Sequence, residues 1–104
     1  MKHEITILYI PCPDDRVANK LGMKLIAEKA AACVQLMAAK SIYPWNGKIE
    51  KANEIILLAK TLNKKLSKVK SAIKKNHPYE VPCIISYKVQ VNKEYYNWMK
   101  DILD

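Results

Sequence analysis

The chain has 104 residues, a net charge of +8, half of its residues hydrophobic and 27% charged. At this length a single domain over residues 1–104 is expected, and the hydrophobic-to-charged balance excludes a disordered tail. No run of about 18 apolar residues is present, so a transmembrane helix is excluded. Three cysteines, Cys12, Cys33 and Cys83, form no CxxC pair. Their odd number argues against a disulfide framework and points to a reducing, cytoplasmic setting. The positive charge permits nucleic acid, anionic lipid or acidic ligands as partners without selecting one.

The opening Met1-Lys2-His3-Glu4 runs into the apolar stretch Ile5 to Ile10, which ends at Pro11-Cys12-Pro13. It reads as a strand and not as a signal peptide, with Ile5, Ile7 and Tyr9 on one face and Thr6, Leu8 and Ile10 on the other. Asp14 is an expected N-cap for a helix from Arg16 to about Ala31, where Val17, Leu21 and Leu25 fall near helical spacing. Cys33 to Trp45 reads as a strand with an irregularity at Ala38 to Lys40. Asn46-Gly47 is a hairpin turn signal, because both turn positions need positive φ. The return strand runs from Lys48 to Thr61, and Pro44 places its arm at an edge or bulge.

A second helix is expected from Asn63 to Lys75, with Leu62, Leu66, Val69 and Ile73 as a narrow apolar stripe among lysines. Pro78 requires it to end near His77. Val81 to Val91 reads as a fourth strand, and Asn92 as the cap of a short last helix carrying Tyr95, Trp98, Met99, Ile102 and Leu103 on one side. The order β-α-β-β-α-β-α is that of an α+β, ferredoxin-like split βαβ sandwich with a long central hairpin and a short C-terminal helix. Its strands do not alternate cleanly, since Leu8 and Ile10 oppose Ile7 and Tyr9, while Ile56 and Leu58 oppose Ile55 and Leu57. Both sheet faces therefore need cover. Either the last helix folds back over the second face or a partner subunit covers it; a helix of about twelve residues is small for that task.

The segments Ala31-Ala32-Cys33-Val34, Ser41-Ile42-Tyr43-Pro44-Trp45-Asn46-Gly47-Lys48, Lys60-Thr61, His77-Pro78-Tyr79-Glu80-Val81-Pro82 and Tyr95-Tyr96-Asn97-Trp98 together resemble the CutA-type divalent-ion tolerance proteins. The resemblance spans essentially the whole chain. It implies a ferredoxin-like subunit in a homotrimer, with sheets turned inward and hairpins engaging neighbours. It also implies a role in tolerance to divalent metals, with copper binding, or a ligand-sensing role like that of the PII signalling trimers. Two segments depart from the family pattern. Met37-Ala38-Ala39-Lys40 stands where a Pro-Gly bend is usual, and Cys83 stands where an acid usually follows His-Pro-Tyr-Glu-Val-Pro.

Cys33, His77 and Cys83 offer two thiolates and an imidazole, a donor set suited to Cu(I) or Zn(II), with Cys12 as a further candidate. The alternative is that the cysteines are small hydrophobes of apolar strands, and His3, near the terminus, has no assigned role. Proline stiffens the turn His77-Pro78-Tyr79-Glu80, so Tyr79 and Glu80 could line an intersubunit cleft with Tyr43, Trp45 and Lys60. Alternatively, His77 and Glu80 only satisfy backbone groups at a helix end. No nucleophile elbow, P-loop or GxGxxG motif is present, so the chain reads as a non-enzyme. Lys64, Lys65, Lys68, Lys70, Lys74 and Lys75 are enough for phosphate contacts, but the aromatic motif of RNA-binding sheets is missing, which leaves nucleic acid the weaker alternative.

Overall fold

The computed structural model describes residues 3–104; Met1 and Lys2, part of the opening read as free of a signal peptide, lie outside the described residues. The strands are β1 (Glu4–Cys12), β2 (Cys33–Trp45), β3 (Lys48–Thr61) and β4 (Ile85–Gln90); the helices are α1 (Asp15–Ala27), α2 (Leu66–Asn76) and α3 (Lys93–Leu103). One antiparallel sheet has the order β2-β3-β1-β4. The ferredoxin-like arrangement expected from the element string is the one observed. No helix among the described residues is long and apolar enough to cross a membrane.

Helix α1 begins where the sequence places it, with the Val17 N–H donating to Asp14 Oδ1 at 2.9 Å in an N-cap. It ends four residues before the expected Ala31. Lys29 adopts φ 54°, and the N–H groups of Ala30 and Ala31 both turn back onto the Leu25 carbonyl. This left-handed C-terminal closure hands the chain to β2 with Ala30 and Ala31 buried. Helix α2 is entered through a single 3-10 turn, Asn63–Lys65, and stops at Asn76 before the extended His77.

The turn Asn46-Gly47 has φ values of 52° and 76°, the doubly left-handed geometry that suits the twist of a two-residue hairpin. The irregularity expected at Ala38 to Lys40 is absent: Ala38, Ala39 and Lys40 pair in unbroken register with Ile55, Glu54 and Asn53. Without a proline or glycine there, nothing removes a ladder donor or invites a bulge. Pro44 is tolerated because β2 is an edge strand. Strand β1 pairs with β3 only over Ile55 to Thr61, so the rest of the β2–β3 hairpin projects as a two-stranded arm. The molecule measures 48 × 25 × 21 Å.

Strand β4 is shorter than expected, since Val81 to Ile84 lie outside the ladder. The pairing of β1 with β4 ends at Tyr9 opposite Ile85. Beyond that point Pro82 and Pro11 bring no N–H to the edge, so a ladder cannot continue between them.

The two sheet faces divide the core. Leu8, Ile10, Leu57 and Ala59 pack under α1 and α2 against Leu21, Leu25, Val69 and Ile73. On the other face α3 folds back and buries Ile5 with Leu62, Met99 and Leu103, while Trp98 stays 45% exposed and does not join them. Both routes to covering this face were open from the sequence, and α3 takes only one end. Met37 on edge strand β2, and Ile85 and Tyr87 on the opposite edge strand β4, remain 44–48% exposed on this face. Ile42 and Ile49 on the arm are exposed by 70% and 77%.

Candidate functional site

At the foot of the arm a cleft of about 460 Å³ opens between the end of β1, the hairpin and the segment that follows α2. Pocket volumes of roughly 300–1,000 Å³ hold small organic ligands. Five of the sequence candidates line it: Tyr43, Trp45, Tyr79, Glu80 and Cys83. Pro78, from the turn expected there, completes it together with Pro11, Glu54 and Val81, and these last three carry no cleft role in the sequence reading. Glu54 carried one signal, a lone carboxylate at the head of the apolar run Ile55 to Ala59.

His77 holds this geometry from outside the cleft. Its Nε2 lies 2.8 Å from the Pro11 carbonyl, and its Nδ1 accepts the Tyr79 N–H at 3.2 Å. A ring that accepts through Nδ1 must carry its proton on Nε2, which then donates to Pro11. Both nitrogens are thus engaged in fixing the turn. The ring also lies 4.6 Å from that of Tyr79, tilted by 56°, a favourable aromatic geometry. Tyr79 in turn reaches across the cleft, its hydroxyl donating to Glu54 Oε2 at 2.6 Å. Burial and this carboxylate push the Tyr79 phenol well above its ordinary range. Glu54 is only 7% exposed, so its phenolic partner offsets much of the cost of placing a charge there.

Cys33 and Lys60 sit elsewhere. They face each other across the β2–β3 ladder, where β3 also pairs Lys60 with Ile7. Pro11, which His77 contacts, lies four residues further along β1, about 13 Å away at 3.3 Å per residue. The Lys60 ammonium lies 5.5 Å over the Tyr95 ring. Burial and the Cys33 thiol raise the Tyr95 phenol. Cys12 is fully buried, its thiol pushed up to about 11 by burial and by the charges of Glu54 and Asp14. Cys33 is half-buried and Cys83 exposed, and all three thiols are free.

Within the single chain, then, Cys33, His77 and Cys83 do not converge, and no three His, Cys, Asp or Glu side chains among the described residues form a metal-holding group. A copper or zinc ion needs its donors within about 2.3 Å of a common point. The single chain does not fit such an ion.

The lysines of α2 and of the turn before it are spread around the helix, and Lys68 and Lys75 line a shallow pocket with Lys24 and Glu28. Lys68 donates to the Glu28 carbonyl at 2.7 Å, Lys64 pairs with Asp104, and Lys74 and Lys75 point to solvent.

These features define a ferredoxin-like fold with a projecting β-arm and a ligand-sized cleft at its base. Residues 6–102 match the model of the CutA1 divalent ion tolerance protein family, and the chain belongs to that family. It is 38% identical over 101 residues to the CutA homolog of Xenopus laevis, covering 95% of this chain and 67% of that protein. The structure of CutA1 from Pyrococcus horikoshii superimposes with a TM-score of 0.91 at 35% identity, covering 95% of this chain and 98% of the other. CutA from Archaeoglobus fulgidus, described as a periplasmic divalent cation tolerance protein, matches with a TM-score of 0.91 at 32% identity, over 97% and 99% of the two chains.

Proposed function

We propose that the protein serves divalent-cation tolerance as a homotrimer, its subunits joined through the open sheet face and the projecting arm, with the cleft as a ligand site. The observation that carries this reading is the uncovered apolar surface. Met37, Ile85 and Tyr87 on the sheet, with Ile42 and Ile49 on the arm, are each at least 44% exposed. Each Leu- or Ile-sized side chain left in water forgoes about 1.5–3 kcal/mol. A two-stranded arm of this kind is also marginal in water unless something packs on it. Copies of the same chain, related by rotation, can cover one another's faces.

Binding of copper, zinc or a similar ion belongs to this reading in one form: the ion would draw donors from more than one copy, Cys83 at the cleft mouth among them. Cys33 then stands apart from that ion, and His77, with both ring nitrogens engaged, orients the turn instead of ligating within its own copy. The three free thiols support a reducing compartment, the cytoplasm. The chemistry proposed is binding and not catalysis, and the only macromolecular partner is the same chain, with no membrane or nucleic acid involved.

Light scattering on the reduced protein, with and without Cu(I) or Zn(II), tests the proposal. The expected molar mass is three times the 11.9 kDa of the chain; a single copy in both conditions overturns the trimer and, with it, a shared metal site. The cleft favours a second reading, small-ligand sensing in the manner of the PII trimers. A metabolite that raises the melting temperature supports that reading, by preferential binding to the folded state.

A further inference from the structure

The cleft has a charge character opposite to that of the protein around it. The chain carries +8, yet among the described residues of one copy no lysine or arginine lines this cleft, while Glu54 and Glu80 both do. Nearby, Lys48 and Glu50 face Trp45 and Tyr43 across the ladder, so that pair cancels. The remaining walls are aromatic or apolar: Tyr43, Trp45, Tyr79 and Pro11.

Three ligand classes fit this lining poorly. An anion would meet two carboxylates with no cation to pair with, at a site where Glu54 is almost wholly buried. A hydrated divalent ion prefers about six oxygen ligands, and the apolar walls cannot replace its water shell. A neutral apolar molecule gains nothing from the acids. An ammonium on an apolar body uses every part. Its charge is attracted both by carboxylates and by the faces of tyrosine and tryptophan, and its carbon skeleton is buried against Pro11 and Trp45. Glu54 has capacity for it, since the Tyr79 hydroxyl engages Oε2 and an ionised carboxylate offers about four acceptor positions.

We propose that the cleft binds a small organic cation, an ammonium group carried on an apolar body, with Glu80 and Glu54 meeting the charge and Trp45 the body. This rests on the reading of the cleft as a ligand site. The experiment is calorimetric titration of the full-length protein with 2-phenylethylammonium chloride and, separately, with its neutral isostere 2-phenylethanol, at one fixed salt concentration. The ammonium is expected to bind at least about ten-fold more tightly than the alcohol.

Glu80→Gln, at an exposed position, is expected to weaken the ammonium about five-fold and leave the alcohol unchanged. Trp45→Leu is expected to weaken both. Equal or tighter binding of the alcohol overturns the cation assignment and leaves the cleft as a neutral-ligand site. Binding of neither compound overturns both readings. Ammonium binding that neither substitution alters lies outside the cleft and overturns the proposal as well.

Discussion

The hydroxyl of Tyr79 donates a 2.6 Å hydrogen bond to the carboxylate of Glu54, tying the proline-stiffened turn after α2 to the root of the β2–β3 arm. The two residues are 25 positions apart in the chain. Their contact closes the inner wall of the cleft and gives a nearly buried carboxylate its hydrogen-bond donor.

Tyr79→Phe removes that donor and keeps the ring. Glu54 is then left buried without its phenolic partner, which costs about 1–3 kcal/mol. Chemical denaturation is expected to show a lower midpoint with an unchanged slope. In Glu54→Gln the carboxamide oxygen can still accept from Tyr79, so a smaller loss is expected there.

Stability is expected to fall at high pH. Cys12 keeps its proton in the folded state up to about 11, against an ordinary value of 9.0, and Tyr79 is displaced in the same direction. A raised folded pKa contributes stability that is complete below the unfolded pKa and is lost as pH rises through the folded one. Between pH 9 and 11 the decline due to Cys12 is at most about 1.4 kcal/mol per pH unit. Urea denaturation across this range measures it, and Cys12→Ala is expected to flatten the part between pH 9 and 10. By the same burial, Ellman's reagent at pH 8 is expected to label exposed Cys83 at once and Cys12 only after unfolding.

Gly47→Ala isolates backbone strain. Gly47 has φ 76°, and an added Cβ would meet no atom within 4 Å, so the loss comes from the left-handed conformation alone, about 1–2 kcal/mol. A midpoint unchanged within error would show that the turn relaxes to another type.

Met37→Glu places a charge in the open patch of the second sheet face, beside Ile56 across the ladder. The side chain is 44% exposed in one subunit, so the isolated fold tolerates the change. Burial between copies does not tolerate an unpaired carboxylate. Light scattering is expected to show dissociation to single chains, with the far-ultraviolet circular dichroism retained.

The second sheet face shows where local reading stops. Alternation along β1 separates Ile5, Ile7 and Tyr9 from Leu8 and Ile10 correctly, because the period of a strand is a property of its own backbone. Whether the last helix or a partner covers the Ile5 face could not be settled that way. Helix α3 reaches Ile5 and Val89 but not Met37 or Ile85. Its reach depends on where β4 docks, and the length of β4 is set by prolines on two different segments.

The candidate site divides along the same line. Tyr43, Trp45, Tyr79, Glu80 and Cys83 were legible as candidates from the sequence, and the fold gathers them in one cleft. Cys33 and Lys60 came from equally suggestive segments, yet the register of β3 against β1 carries them to the far end of the sheet. Glu54 went unrecognised because a single acid beside an apolar strand gives no hint of the phenol it will meet.

What the chain dictates by itself is everything governed by neighbours within a few residues: the Asp14 cap, the Asn46-Gly47 turn, the helix stop before Pro78 and the order of elements. Such features depend on local sterics and on hydrogen bonds closed over three or four positions. What only the tertiary structure decides is convergence: which cysteine is buried, which carboxylate receives Tyr79 and which sheet face stays open. Those outcomes depend on the pairing of strands distant in sequence, where a shift of one residue would send every side chain to the opposite face.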